Sequence, residues 1–304
     1  MLDISVIIIN YNSSKYTIEC VKSIIAHTSD KLNKEIIVVD NNSNNLDFTA
    51  LKKACKNLKI ASLHIYRNQK NSGFGGGNML GYRYSKGKYL AFINNDVLLN
   101  NDCLGLLKNE YDINTKIGIS GPTTYTNGGK ILPTLDFFAS PVKYFFGRKF
   151  FKFTRPKLFH DRNRKLHKTT FGDFVSGSFM FINREVFKNI GGFDENIFLY
   201  HEETDLCKRL KKSGLGAAII PQAECFHYHG ASTEKSIRIK TELKRSLLYV
   251  IRKHYGIFSY KLIHVHMVLK YSFKSLWNTK YRFLRNHILQ GVTLNKSTHI
   301  IHEN

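Results

Sequence analysis

The sequence predicts an α/β fold, a doubly wound and mostly parallel sheet flanked by helices, with a basic helical C-terminal extension. Three observations carry this. Short continuous apolar runs alternate with segments of helical spacing through the first 120 residues. Those runs end in polar residues, as strand ends do where such sheets bind ligands. Beyond residue 234 the chain becomes amphipathic, strongly basic and nearly free of acids.

Residues 5–10 (SVIIIN) form a short buried-strand run, and 15–26 carry Ile18, Val21, Ile24 and Ile25 at helical spacing. Residues 35–40 (EIIVVD) read as the second strand and 46–58 as a helix. A third strand over 62–66, a short helix over 76–85 and a fourth strand over 89–93 complete the alternation. In a parallel sheet the polar ends Asn10, Asp40 and Asp96 converge on one crevice outside the strand termini. Between the third and fourth strands lies NSGFGGGNMLGY, residues 71–82. Its glycines allow close backbone approach, and amides exposed at the start of the following helix would favour a phosphate. It does not follow the first strand and lacks the GxGxxG spacing, so it is not a dinucleotide fingerprint.

The five cysteines are scattered with no CxxC pair or zinc-site spacing, which predicts core thiols in a reducing compartment. The N-terminus shows no basic n-region or long apolar h-region, so no signal peptide is expected. The formal charge is +23, concentrated in two places. Residues 143–168 carry ten Lys/Arg against Asp161, and residues 235–304 carry fourteen against Glu242 and Glu303. Both segments interleave cations with aromatics, notably at 144–159, which suits polyanions; a solvated basic face is the plainer alternative. No stretch reaches eighteen apolar residues without charge, the best being 257–273, so the chain is expected to lie on an anionic membrane surface without spanning it.

The candidate chemistry lies in three places. Residues 92–97 (FINNDV) bring Asp96 to a strand tip, YHEETDLCKR at 200–209 gathers Glu202, Glu203 and Asp205, and HYHGAS at 227–232 supplies His227 and His229. A strand-end carboxylate, an acidic cluster at a helix start and a later histidine could hold a metal-bound phosphate and activate a hydroxyl, which is group-transfer chemistry.

The succession SVIIINYN, IIVVDNNS, NSGFGGGNMLGY, FINNDV, VSGSFMFINREVFKNIGGFDENIFLYHEETDLCKRL and HYHGAS resembles the inverting family two glycosyltransferases of the GT-A fold. It looks most like bacterial rhamnosyltransferase-like enzymes of cell-surface polysaccharide synthesis, over roughly residues 3–255. The resemblance implies a nucleotide-sugar donor held by Asn10, Tyr11, Asn12, Asp40, Gly73, Gly75, Asn78, Asn94, Asn95 and Asp96. It implies a divalent metal, magnesium or manganese, on Asp96 with His227 or His229. Asn94 stands at the first acid of the family's DxD motif, which weakens the metal site by one carboxylate. The base position falls on Glu203, with Glu202 and Asp205 as its alternatives; Asp205 is also placed to stabilise the helix dipole. Asp194 and Gly177 are implied on the acceptor side, although Asp194 could equally cap a turn.

The expected organisation is a nucleotide-sugar-binding half (1–120), an acceptor and catalytic half (121–233) and the basic extension (234–304). The implied acceptor is a glycan, lipid-linked, and the implied location is cytoplasmic, peripheral on the inner face of the plasma membrane. Two other classes were weighed. A nucleic-acid-binding protein would account for the charge, but no helix-turn-helix, zinc-finger or RNP motif is present and no nucleic acid is expected. A nucleotidyltransferase or dehydrogenase would need a Gly-rich loop straight after the first strand, where this chain has NYNSSKY.

Overall fold

The computed structural model describes residues 2–126, 128–162, 164–228 and 236–293. Strands β1 (Ile4–Asn10), β2 (Lys34–Asp40), β3 (Leu63–Arg67) and β4 (Tyr89–Asn94) alternate with helices α1 (Ser14–His27), α2 (Asn45–Asn57) and α3 (Gly73–Tyr84). There follow β5 (Val97–Leu99), α4 (Cys103–Ile113), β6 (Ile117–Tyr125) and β7 (Leu135–Asp136). The basic aromatic segment forms two short helices, α5 (Pro141–Phe146) and α6 (Phe151–Thr154). Next come β8 (Thr170–Gly172), β9 (Phe174–Val175), β10 (Phe179–Asn183), α7 (Arg184–Asn189), α8 (Glu202–Lys212) and β11 (Gly216–His227). The chain then runs into α9 (Ile237–Trp277) and α10 (Lys280–Leu289).

The main sheet has the order β3-β2-β1-β4-β10-β6-β11-β5, with β8 beside β11. Strands β1 to β4 are mutually parallel where they pair, whereas β10 inserts antiparallel between β4 and β6. One continuous sheet therefore runs from the N-terminal parallel strands to β11, which follows α8. Alternation along the strands splits the core in two. Ile4, Val6 and Ile8 face α1 and α4, while Ile7, Val39 and Phe92 face the layer that contains Phe187 and Leu206.

The glycines of 71–82 do something other than the sequence suggests. The helix begins at Gly73, three residues before the expected start, and Gly73, Gly75, Gly76 and Gly77 are buried within it. A Cβ on Gly77 would lie 3.0 Å from Ile9 Cδ1, and one on Gly81 2.5 Å from Ile7 Cγ2. Close approach is needed, but to the protein's own sheet and loops.

The C-terminal extension is helical and basic as expected, yet it is also a packed layer. Gly256, at φ 80°, breaks α9 and reverses its direction. Leu248, Ile251, Ile263 and Met267 on its two segments close a third core with Leu284 and Ile288 of α10 and with Ile197. Among the described residues no helix is long and apolar enough to cross a membrane.

Candidate functional site

The parallel strands end together. Asn10 pairs with Asp40 in register, and Ile9 pairs with Asn94. The Asn10 amide donates to Asp40 Oδ1 (3.0 Å), Ser43 Oγ (3.0 Å) and Asp47 Oδ2 (2.8 Å), and Thr17 Oγ1 donates back to Asn10 Oδ1 (2.7 Å). Asp40 is fully buried; its second oxygen accepts from the Ser43 backbone (3.2 Å) and pairs with Arg67 Nε at 3.3 Å. In this arrangement Asp40 braces the crevice wall, and the exposed group beside it is Tyr11.

Asp47 and Thr17 belong to this network but were not foreseen. Burial pushes the Asp47 carboxyl up, but hydrogen bonds from Asn10 and Ser14 hold it below the ordinary carboxylate range. Its only sequence signal was its position in the first turn of α2 after the Asn44 cap. Asn12, at φ 50°, accepts at its side chain from the Asn44 amide (2.8 Å) and donates its backbone N–H to Ser43 Oγ (2.9 Å). Asn95 donates to Ser13 Oγ (2.7 Å) and Thr17 Oγ1 (2.9 Å), which locks the NND turn onto the start of α1.

At the tip of that turn, Asp96 Oδ1 lies 3.1 Å from His227 Nε2. The Tyr228 N–H donates to the Asp96 carbonyl (3.0 Å), so the end of β11 is held over the turn. Of the histidine pair, His227 therefore faces Asp96; His229 lies outside the described residues. A carboxylate and an imidazole together suit a divalent cation that takes its remaining oxygens from phosphate and water. Among the described residues no group of three or more His, Cys, Asp or Glu could hold a metal ion, so a protein-only cage is not formed there.

Gly73 and Gly75 close the crevice from the other side by packing. A Cβ on Gly73 would sit 2.0 Å from Phe198 O, and one on Gly75 3.3 Å from Asp194 O. The Phe74 N–H donates to Phe198 O at 2.8 Å, and the Asn78 side chain donates to Phe74 O at 3.1 Å. These residues join α3 to the loop that leads into α8.

The acids lie inside the first turn of α8 rather than before it. Tyr200 and His201 precede them in left-handed conformation at φ 71° and 72°, a strained pair for non-glycine residues that turns the chain sharply into the helix. The three carboxyls have different environments. Glu202 is buried, and its Oε1 has no hydrogen-bond partner; burial, Glu203 and Glu242 raise its pKa well above the ordinary value. Glu203 is half-buried, and burial pushes it up to about 7 against the pull of its own backbone amide and of Lys143. A Cβ on Gly177 would lie 3.8 Å from Glu203 Oε2, an ordinary van der Waals distance, so the Gly177 loop packs beside this carboxylate. The loop of Gly177 also reaches the NND turn, since the Asn94 N–H donates to Ser178 O at 2.9 Å.

Asp205 and Asp194 have their carboxylate oxygens engaged by the protein's own groups. Asp205 is fully buried and paired with Arg209 Nη2 (2.7 Å), Lys253 Nζ (2.8 Å) and His254 Nε2 (2.7 Å). Burial alone would raise its pKa; the His254 hydrogen bond and the Arg209 and Lys253 charges depress it far below the usual carboxylate range. A carboxylate so held is a fixed anion and cannot serve as a base near neutrality. Asp194, expected at the acceptor, has its oxygens taken by Lys253 Nζ (2.6 Å), Tyr249 OH (2.9 Å) and the Asn196 amides (3.0 Å). It caps its turn and ties it to α9. Lys253 and His254 on Asp205, and Lys253 and Tyr249 on Asp194, come from the C-terminal extension, which motif reading does not connect to these acids.

The family model "Glycosyl transferase family 2" matches residues 5–191, more than half of the chain. The chain is 26% identical over 268 residues to the rhamnosyltransferase WbbL of Escherichia coli K12, covering 82% of this chain and 92% of that one. It is 30% identical over 227 residues to the low-salt glycan biosynthesis hexosyltransferase Agl10 of Haloferax volcanii, covering 74% and 67%. Among solved structures it resembles GalNAc-T7 with UDP, GalNAc and Mn2+ at a TM-score of 0.59 and 16% identity, over 81% of this chain and 48% of that one. It also resembles S. aureus TarS 1-349 in complex with UDP at a TM-score of 0.54 and 16% identity, over 83% and 66%. At such identities the structural matches establish the GT-A-like fold.

Proposed function

The chain belongs to glycosyl transferase family 2, and from that premise we propose that it moves a sugar, rhamnose in our reading, from a nucleoside-diphosphate donor to a hydroxyl of a lipid-linked surface glycan. The observation that carries the reading is the sorting of the three α8 carboxyls. Of the three, Glu203 alone combines partial exposure with a pKa pushed up to about 7. That is what a general base for an acceptor hydroxyl requires.

Glu203 takes the hydroxyl proton as the acceptor oxygen attacks the anomeric carbon. The bond from that carbon to the diphosphate oxygen breaks on the opposite face, the electron pair leaves with the nucleoside diphosphate, and the configuration inverts. Asn10, Tyr11, Asn12 and the NND turn receive the nucleoside end, with Asp40 and Asn78 bracing their walls and Gly73 and Gly75 their packing. A magnesium or manganese ion held by Asp96 and His227, joined by Asn94, would neutralise the charge that develops on the departing diphosphate. The pair at 3.1 Å and the Mn2+ present with UDP in the structurally similar GalNAc-T7 support this cofactor.

Residues 1–120 serve as the donor half, 121–233 as the acceptor and catalytic half, and 234–304 as the extension that holds the enzyme to the cytoplasmic face of a membrane. Rhamnose is favoured by the name of the relative that this chain matches over most of both lengths. The test is a donor screen: purified protein is incubated with nucleotide sugars and lipid extract, and product glycolipid is read by mass spectrometry. A product made from a dTDP-rhamnose donor by wild type and lost in Glu203→Gln supports the reading. Full product formation by Glu203→Gln would remove its central residue.

A further inference from the structure

The segment of α9 after Gly256 is apolar on two opposite faces. At 100° per residue, Tyr260, Ile263, Met267 and Tyr271 fall on one side and are buried in the core shared with α10. On the other side Phe258, Leu262, Val265, Leu269, Phe273 and Leu276 form a straight stripe, and all six are exposed, Phe258 at 87%. The eighteen helical rises from Phe258 to Leu276 make this stripe about 27 Å long. A ridge of this size left in water needs a partner.

Charge identifies the partner. From residue 257 to residue 293 there are six Lys/Arg and no Asp or Glu. The neighbouring helix α5 lies against the same segment, with the Tyr144 hydroxyl 2.8 Å from His266 Nδ1 and the Phe145 ring 5.5 Å from the His266 ring. Its surroundings add exposed Phe146 and Phe153, and residues 137–160 contain six Lys/Arg and again no acid. A second copy docked on this face would set cations against cations with no carboxylate to pair them. A layer of anionic headgroups over acyl chains complements both the aromatics and the lysines.

We propose that the post-Gly256 segment of α9 and the aromatic tip at α5–α6 form one docking surface for an anionic lipid bilayer, on which the helix lies parallel to the membrane plane. Phe258, Leu262, Leu269 and Phe273 enter the headgroup boundary while Lys261 and Lys270 flank it. This rests on the lipid-linked acceptor proposed above for its purpose, and it deepens that reading by naming the surface.

The chain carries its own probe. Trp277 is its single tryptophan and stands 82% exposed at the end of the stripe. Vesicles containing phosphatidylglycerol should shift Trp277 emission to the blue and sediment the protein, and vesicles of phosphatidylcholine alone should do both far less. Leu262→Glu/Leu269→Glu, at exposed positions, should lower partition to the anionic vesicles at least about tenfold, with nucleotide binding and the thermal midpoint unchanged. An unshifted Trp277 and no sedimentation with anionic vesicles would overturn the proposal. So would a wild-type dimer that fails to bind vesicles and that the double variant dissociates, which would give the face to a second copy. Loss of nucleotide binding with vesicle binding intact would sink the glycosyl-transfer reading instead.

Discussion

His254 Nε2 lies 2.7 Å from Asp205 Oδ1, so the C-terminal extension is hydrogen-bonded to the same helical turn that carries Glu203. With Lys253 reaching both Asp205 and Asp194, α9 fixes the start of α8 and the loop before it together. The extension thus helps to fix the start of α8 as well as supplying a basic face.

Asp205→Asn should cost about 3–5 kcal/mol of stability, because it leaves Arg209 partly buried without its anion and removes one of the two carboxylates that Lys253 pairs with. Denaturant unfolding of the two proteins measures it. The pH dependence follows from the sign of the shift. The folded-state pKa is depressed, so the contribution is fully present above the unfolded value of about 3.9 and is lost as pH falls from there through the folded value. The acid limb of the wild-type stability curve should therefore be steeper than that of Asp205→Asn. Parallel curves would contradict this.

Glu203→Gln should lower turnover about 10²–10⁴-fold while leaving nucleotide affinity intact. In the wild type, kcat/KM should rise with pH through an apparent pKa of about 7, because the base acts deprotonated. The Gln variant's residual rate should lack that limb. A limb that persists in the variant would assign the titration to another group.

Gly73→Ala should destabilise by more than the ~1–2 kcal/mol of left-handed backbone strain, since the added Cβ would also meet Phe198 O at 2.0 Å. A thermal melt would show it as a lowered midpoint of several degrees. Gly129→Ala, at φ 72° with nothing within 4 Å of its Cβ, supplies the control that carries strain alone.

Most of the fold was legible in the sequence because its first half is built from local signals. The runs SVIIIN and EIIVVD are strands buried on both faces, and their polar ends do meet, Asn10 on Asp40. The start of α3 was misplaced because glycine composition reads as a loop, whereas burial against Ile7, Ile9 and Phe198 makes a glycine-rich helix the better packed state. Within the site, proximity of Asp96 to His227 followed from motif order. The separation of Glu203 from Asp205 did not, since it depends on Lys253 and His254, about fifty residues further along the chain. Long-range ion pairs of this kind leave no periodic trace, and neither does the reversal at Gly256 that turns one face of α9 inward.

Titration calorimetry of the purified protein with UDP, dTDP and GDP, each with and without manganese, tests the donor site most directly. The account predicts binding of one nucleotide that strengthens with manganese in the wild type and loses that dependence in Asp96→Ala. Absence of binding to all three in a folded sample, or equal manganese dependence in Asp96→Ala, would contradict it.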